Sequence, residues 1–118
     1  MAKLIIHGDR RLNGRIKVSG SKNASLALIP ASLLADKPVT LTNVPVIRYV
    51  TVMLEIAEKL GVKVSGKGTD TVTIDSGGLK NIALDPQLSA KVRASVIFAA
   101  PLLARFGKAL ITPPGGDQ

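Results

Sequence analysis

The sequence contains no cysteine and only one histidine, His7. It therefore has no disulfide framework and no thiolate metal site, and a single imidazole cannot build a histidine cluster. Aromatic side chains are also scarce, since Tyr49, Phe98 and Phe106 are the only three in 118 residues. Proteins that bind single-stranded nucleic acids stack bases on such rings, so this scarcity argues against a nucleic-acid partner. No metal ion and no cofactor is predicted.

Acidic residues are half as frequent as basic ones. Sixteen lysines and arginines face eight aspartates and glutamates, which gives a net charge of +8 at pH 7. Such a charge favours anionic partners. The basic residues are spread from Lys3 to Lys108 without a dense run. We therefore expect small phosphorylated or carboxylated ligands, and a nucleic-acid-binding protein is the weaker alternative because only the net charge argues for it.

Long apolar runs are missing as well. The N-terminus has no apolar run of signal-peptide length, and Pro30 and Pro101 interrupt two apolar stretches that are each shorter than a membrane span. The sequence thus predicts a soluble, cytoplasmic protein without a membrane partner. With 46% hydrophobic residues, a chain of this length is enough for one domain that buries roughly two thirds of its unfolded surface.

The most informative stretch runs from Val18 to Ser25, where a short alternating strand leads through a Gly/Ser turn into an apolar helix that begins near Ala24. The first backbone N–H groups of a helix lack intrahelical acceptors and lie at the positive end of the helix dipole. Beside them, Lys22 offers a positive charge and Asn23 an amide, which suits a phosphate or a sugar oxygen. The alternative is that Ser21 or Asn23 is merely a helix cap.

Strands and helices alternate along the chain. The turn residues and apolar spacing predict strands over 3–7, 14–18, 39–42, 62–64, 71–74, 82–84 and 109–111, and helices over 24–35, 48–60 and 86–105. Asp85 and Pro86 are expected to begin the last helix, and Gly61 and Gly107 to end theirs. The order ββαβαβββαβ predicts an α/β fold with parallel strand pairing.

The chain also contains an internal repeat. The residues Ala24-Ser25-Leu26 recur 70 residues later as Ala94-Ser95-Val96, and Leu33-Leu34-Ala35 recurs as Leu102-Leu103-Ala104. Chance is the alternative to duplication, because two apolar helices always look somewhat alike. If the repeat is real, its register sets Asn23 over Arg93, so that both helices present a polar or cationic group at the same level.

Several separated motifs resemble one family, in the family's order and at its spacing. They are Gly20-Ser21-Lys22-Asn23-Ala24, Leu33-Leu34-Ala35, Asn43-Val44-Pro45, Leu60-Gly61, Val92-Arg93-Ala94-Ser95, Leu102-Leu103-Ala104-Arg105-Phe106-Gly107 and Pro114-Gly115-Gly116. Over the whole chain the sequence closely resembles the UDP-N-acetylglucosamine enolpyruvyl transferases. The sister enzyme, 5-enolpyruvylshikimate-3-phosphate synthase, typically has serine at the position of Asn23, which favours the sugar-nucleotide branch.

The resemblance implies the fold of the enolpyruvyl transferases, an inside-out α/β barrel built from βαβαββ units with buried helices. Residues 20–118 would form the first unit and part of the second, so the barrel would be incomplete in this chain. Residues 1–19 would be a strand segment that belongs to the other, absent domain. The resemblance therefore implies an N-terminal fragment that needs the remainder of the enzyme and is inactive alone.

The implied reaction transfers the enolpyruvyl group of phosphoenolpyruvate to the 3-hydroxyl of UDP-N-acetylglucosamine and releases phosphate, the first committed step of peptidoglycan synthesis. The resemblance assigns phosphoenolpyruvate binding to Lys22, sugar binding to Asn23 and a further positive charge to Arg93. Asp117 would be the catalytic acid where the family usually has cysteine, which implies insensitivity to fosfomycin. Tyr49 stands where the family tends to have an acidic residue. The alternatives are a non-catalytic module that binds anions or nucleotide sugars, and a transferase like the shikimate enzyme.

Overall fold

A computed structural model describes residues 2–113 of the chain. Its helices are α1 (Lys22–Ala31), α2 (Arg48–Lys59), α3 (Pro86–Ser89) and α4 (Ala99–Phe106), and its strands are β1 (Val39–Leu41), β2 (Lys63–Ser65) and β3 (Val72–Asp75). Short 3-10 helices cover Ser32–Leu34, Ser76–Gly78 and Arg93–Phe98.

The three strands form one sheet in the order β1-β3-β2, and both neighbouring pairs are antiparallel. The predicted parallel pairing of strands is therefore wrong for this sheet. The crossover through α2 does make β1 and β2 point the same way, but the β2–β3 hairpin inserts β3 between them. The one parallel contact described is an isolated bridge between Ala83 and Leu110, where two short strands were predicted.

The core lies where α1, α2 and the sheet meet. Helix α2 buries one face, whose members are Val50, Val52, Met53, Leu54, Ile56 and Ala57. It packs against α1 and β2, while the 3-10 turn after α1 contacts β3. This amphipathic pattern is the reason that the sequence located α2 well, and its end at Gly61, with φ of 105°, is also as predicted.

The strands predicted over 3–7 and 14–18 are not formed. Residues 2–19 contain neither helix nor strand, and all of them are exposed, including Leu12 and Ile16, whose exposed fractions are 94% and 93%. A strand requires a neighbouring backbone, and the part of the chain that the structure describes pairs none with this segment. The assignment of residues 1–19 to another domain stays a prediction.

The long helix predicted over 86–105 is interrupted. Asp85 does cap α3 by accepting a hydrogen bond from the Leu88 amide at 3.0 Å, and Pro86 is its first residue. However, α3 has only four residues, and Val92 is extended with φ of −141° and ψ of 132°. The chain then forms the 3-10 helix Arg93–Phe98 before α4 begins. No helix among residues 2–113 is long and apolar enough to cross a membrane.

Candidate functional site at the start of two helices

Helix α1 begins two residues earlier than predicted, so that Lys22 and Asn23 form its first turn. The Ser21 hydroxyl caps the helix by accepting a hydrogen bond from the Ala24 amide at 3.1 Å. The capping alternative is thus right for Ser21. It leaves the anion site possible, because the amides of Lys22 and Asn23 have no intrahelical acceptor. No acidic residue lies in this first turn to neutralise its positive end.

A pocket of about 420 Å³ lies beside this helix start. Its lining consists of Lys22, Asn23, Leu26, Tyr49, Arg93, Ala94, Val96 and Ile97. The structure therefore brings together the three residues that were predicted to bind substrate, two from α1 and one from the 3-10 helix. Their roles stay predictions. The arrangement places two positive side chains and one amide around a volume of the size that small-molecule ligands occupy.

Tyr49 lies next to Lys22 in the lining of the pocket. The Nζ atom of Lys22 lies 5.1 Å from the centroid of the Tyr49 ring, within the range of a cation–π interaction. The ring itself is half buried near the start of α2 and packs against the core. Sequence reasoning marked Tyr49 as a departure from the family but missed this contact, because no local spacing relates positions 22 and 49.

Gly20 allows the chain to pass close to the backbone of Asn43 just before α1 begins. A Cβ atom at this position would overlap the carbonyl oxygen of Asn43 and come within 2.9 Å of the Cδ atom of Pro45. The Asn43 side chain also donates a hydrogen bond to the Val18 carbonyl at 3.3 Å. Gly20 therefore lies directly against the turn between β1 and α2, and only glycine fits there.

Arg105, a member of one of the quoted motifs, has a structural position away from this pocket. Its Nη1 atom donates hydrogen bonds to the Leu33 carbonyl at 3.1 Å and to the carbonyl and hydroxyl oxygens of Ser76 at 3.2 and 3.1 Å. The Ser76 hydroxyl in turn donates to the Ala35 carbonyl at 2.9 Å. Arg105 therefore links α4 to the two 3-10 turns that follow α1 and β3.

A second groove, of about 540 Å³, lies between α2 and α3. Its lining mixes charges of both signs and consists of Glu55, Glu58, Lys59, Lys67, Asp85, Gln87 and Leu88. Lys67 and Glu58 form an ion pair at 2.6 Å, and this hydrogen bond raises the pKa of Lys67 from its ordinary value. Although this groove is the larger one, its three carboxylates repel an anionic ligand, which makes the pocket of Lys22 the better candidate.

Two sequence predictions cannot be placed. Asp117 and the motif Pro114-Gly115-Gly116 lie outside the described residues. Among residues 2–113 the structure holds no group of three or more histidine, aspartate or glutamate side chains that could bind a metal ion. We therefore take the cationic pocket as the candidate site of the described chain.

Comparisons with known proteins agree on one family. Residues 6–118 match the EPSP synthase family, described as 3-phosphoshikimate 1-carboxyvinyltransferase. The UDP-N-acetylglucosamine 1-carboxyvinyltransferase of Geotalea uraniireducens is 45% identical over 116 residues, 98% of this chain and 28% of that protein. The enzyme of the same name from Treponema denticola is 43% identical over 117 residues, 99% of this chain and 28% of that protein.

A solved structure is similar as well. The enolpyruvyl transferase NikO from Streptomyces tendae superposes with a TM-score of 0.72 at 30% sequence identity, covering 88% of this chain and 24% of that one. The chain spans about a quarter of the length of the curated relatives that it matches. The predicted fold class, a partial α/β unit of the enolpyruvyl-transferase fold, is confirmed. On the agreement of sequence family, curated relatives and structure, the chain belongs to the EPSP synthase family of enolpyruvyl (1-carboxyvinyl) transferases.

Proposed function

We propose that this chain forms the anion-binding wall of a UDP-N-acetylglucosamine 1-carboxyvinyltransferase. In that reaction the 3-hydroxyl oxygen of the sugar bonds to C2 of phosphoenolpyruvate, the bond from C2 to the phosphate oxygen breaks, and phosphate leaves. The product is the enolpyruvyl ether of the sugar nucleotide. The reaction takes place in the cytoplasm and belongs to peptidoglycan synthesis. It thereby contributes to cell wall biogenesis, cell shape and cell division.

The observation that carries this proposal is the convergence of Lys22, Asn23 and Arg93 on one pocket. Phosphoenolpyruvate carries a phosphate and a carboxylate, and charge-assisted hydrogen bonds to such groups are about twice as strong as neutral ones. Lys22 and Arg93 supply the two positive charges, and Lys22 contacts both anionic groups. The Asn23 amide, which can both donate and accept hydrogen bonds, binds the sugar.

The choice of the sugar-nucleotide substrate is supported by the names of the curated relatives. The family description also includes shikimate 3-phosphate chemistry, so the shikimate reaction is the second candidate. Because the chain covers only 26–28% of those relatives, the remaining charges of a doubly anionic site have to come from outside it. We therefore expect no transferase activity from the 118 residues alone.

We assign the proton donor to Asp117, which takes the place of the family's cysteine and protonates the methylene carbon of phosphoenolpyruvate. In an active protein that contains this chain, Asp117→Asn should lower turnover by roughly two to four orders of magnitude. A carboxylate is a poorer nucleophile than a thiolate toward an epoxide, so that protein should resist fosfomycin, and Asp117→Cys should make it sensitive. Unchanged turnover of Asp117→Asn would remove the assignment.

Titration calorimetry on the chain tests the pocket directly. Phosphoenolpyruvate and UDP-N-acetylglucosamine should each bind, and Lys22→Ala should weaken phosphoenolpyruvate binding about ten- to a hundredfold, the value of a lost charge-assisted contact. Lys37→Ala is the matched control, because Lys37 is exposed in the turn before β1 and should have no effect.

Each alternative has its own outcome in that titration. If Lys22→Ala and Lys37→Ala had equal effects on phosphoenolpyruvate binding, Lys22 would be a solvated residue of the first helical turn without a binding role. Tighter binding of shikimate 3-phosphate than of UDP-N-acetylglucosamine would favour the shikimate reaction. Binding without turnover in any longer protein that contains the chain would favour the non-catalytic module.

A further inference from the structure

Lys22 lies on an aromatic ring instead of beside a carboxylate. Its Nζ atom is 5.1 Å from the centroid of the Tyr49 ring. Neither α1 nor α2 has an acidic residue in its first turn, and the ion pair between Lys67 and Glu58 does not involve Lys22. The ammonium group is thus oriented by a partner that attracts it without cancelling its charge.

The side chains of Lys22 and Tyr49 differ in how firmly the protein holds them. The Lys22 side chain is exposed and has four rotatable bonds, so ordering it on a ligand costs conformational entropy. Tyr49 is half buried, sits near the start of α2 and packs against the hydrophobic core. A ring held in this way restricts the ammonium group to one side of the pocket before the ligand arrives.

From this contact we propose that Tyr49 is a positioning residue for anion binding, which holds the Lys22 ammonium group at the pocket while leaving its full positive charge for the ligand. The inference rests on the proposed function of Lys22. It extends that function to a residue that acts on the ligand through Lys22, by way of its aromatic face. The hydroxyl of Tyr49 has no part in it.

Two readouts on the chain test the proposal. In NMR spectra, the Cε protons of Lys22 should be shifted upfield by the ring current of Tyr49, and Tyr49→Phe should keep this shift while Tyr49→Leu abolishes it. In a titration with phosphoenolpyruvate, Tyr49→Leu should weaken binding about two- to fivefold, the value of an exposed cation–π contact, and Tyr49→Phe should bind like the unchanged chain. In a Lys22→Ala background, the further change Tyr49→Leu should have no effect.

The outcomes separate this inference from the proposed function. Unshifted Lys22 protons, or a loss from Tyr49→Leu that persists in the Lys22→Ala background, would overturn the positioning role. The persistent loss would show that the ring supports the pocket structurally instead of through Lys22. Upfield-shifted protons without any phosphoenolpyruvate binding would support the contact and contradict the proposed function of the pocket.

Discussion

The two segments that start at residues 22 and 93 share the apolar pattern that predicts an internal repeat, yet they fold in opposite orders. The first is α-helical from Lys22 to Ala31 and ends in the 3-10 turn Ser32–Leu34. The second begins as the 3-10 helix Arg93–Phe98 and becomes α-helical only at Ala99. A similar apolar pattern therefore does not determine which kind of helix forms first.

Helix capping accounts for the difference at the start. Ser21 caps the first segment, and the preceding residue, Gly20, allows the chain to approach Asn43 closely. The residues 70 positions later are Ala90 and Lys91, and a lysine side chain has no acceptor for a backbone amide. Val92, which precedes the second segment, makes no capping hydrogen bond through its side chain.

The serine that both segments share, Ser25 in the first and Ser95 in the second, differs in its hydrogen bonding. The Ser25 hydroxyl donates a hydrogen bond to the Ser21 carbonyl at 2.8 Å, as a residue one α-helical turn later can. The Ser95 hydroxyl is fully buried and has no hydrogen-bond partner among residues 2–113. Proline adds to the contrast. Pro101 is the third residue of α4, whereas Pro30 lies near the end of α1.

The largest expected effect comes from breaking the first segment at Gly20. Gly20→Ala places a Cβ atom on the Asn43 carbonyl, so backbone must move, and we expect a loss of about 1–3 kcal/mol in the free energy of unfolding. Urea denaturation measures this loss. Gly8→Ala is the control, because nothing lies within 4 Å of a Cβ atom there. Equal losses in the two variants would show that the close approach to Asn43 does not matter.

Removing the cap should cost somewhat less. Ser21→Ala deletes the acceptor of the Ala24 amide, and the loss of such a cap costs about 0.5–2 kcal/mol. The repeat supplies the matched control Lys91→Ala, which removes no cap and should change the midpoint of denaturation little. If both variants lose the same stability, capping does not distinguish the two segments.

The shared serine sharpens the comparison, because its two copies should respond differently. Ser25→Ala loses a hydrogen bond and should destabilise the fold by about 0.5–1.5 kcal/mol. Ser95→Ala removes a buried hydroxyl that no other described residue pairs with, and it should be neutral or stabilising. Thermal unfolding of the two variants checks this prediction, and a larger loss for Ser95→Ala than for Ser25→Ala would contradict it.

The smallest expected effect comes from the ion pair between Lys67 and Glu58, which lies outside both segments. Lys67→Met removes the exposed ion pair with Glu58 and should cost less than about 1 kcal/mol, an effect that high salt should abolish. Because the folded state raises the pKa of Lys67, this contribution is fully present below the ordinary pKa of lysine and disappears as the pH rises through the folded pKa. Denaturation midpoints measured at neutral and alkaline pH would test the sign.

The sequence located the elements whose signals are local. Helix α2 has a complete apolar face, the β2–β3 hairpin has its turn residues, and Gly107 ends α4 with φ of 74°. The order of strands in the sheet was not predictable in this way, because the insertion of β3 between β1 and β2 depends on a contact between distant segments. The interruption at Val92 likewise reflects tertiary packing, which buries this residue completely.

The candidate site was predicted in its parts and not in its geometry. Lys22 and Asn23 follow from the signature of a helix start, and Arg93 follows from the repeat and the resemblance. The role of Tyr49 required the packing of α1 on α2, since its ring reaches Lys22 only through that contact. Polar and cationic residues at the starts of two distant segments thereby line one pocket.

One measurement tests most directly whether these two segment starts form a single anion site. Amide and side-chain chemical shifts of the chain should be followed while inorganic phosphate is added at low salt. We expect saturable shifts with one dissociation constant at Lys22, Asn23 and Arg93, and none beyond a general salt effect at Lys37. Shifts confined to α1, different dissociation constants at residues 22 and 93, or equal shifts at every lysine would contradict it.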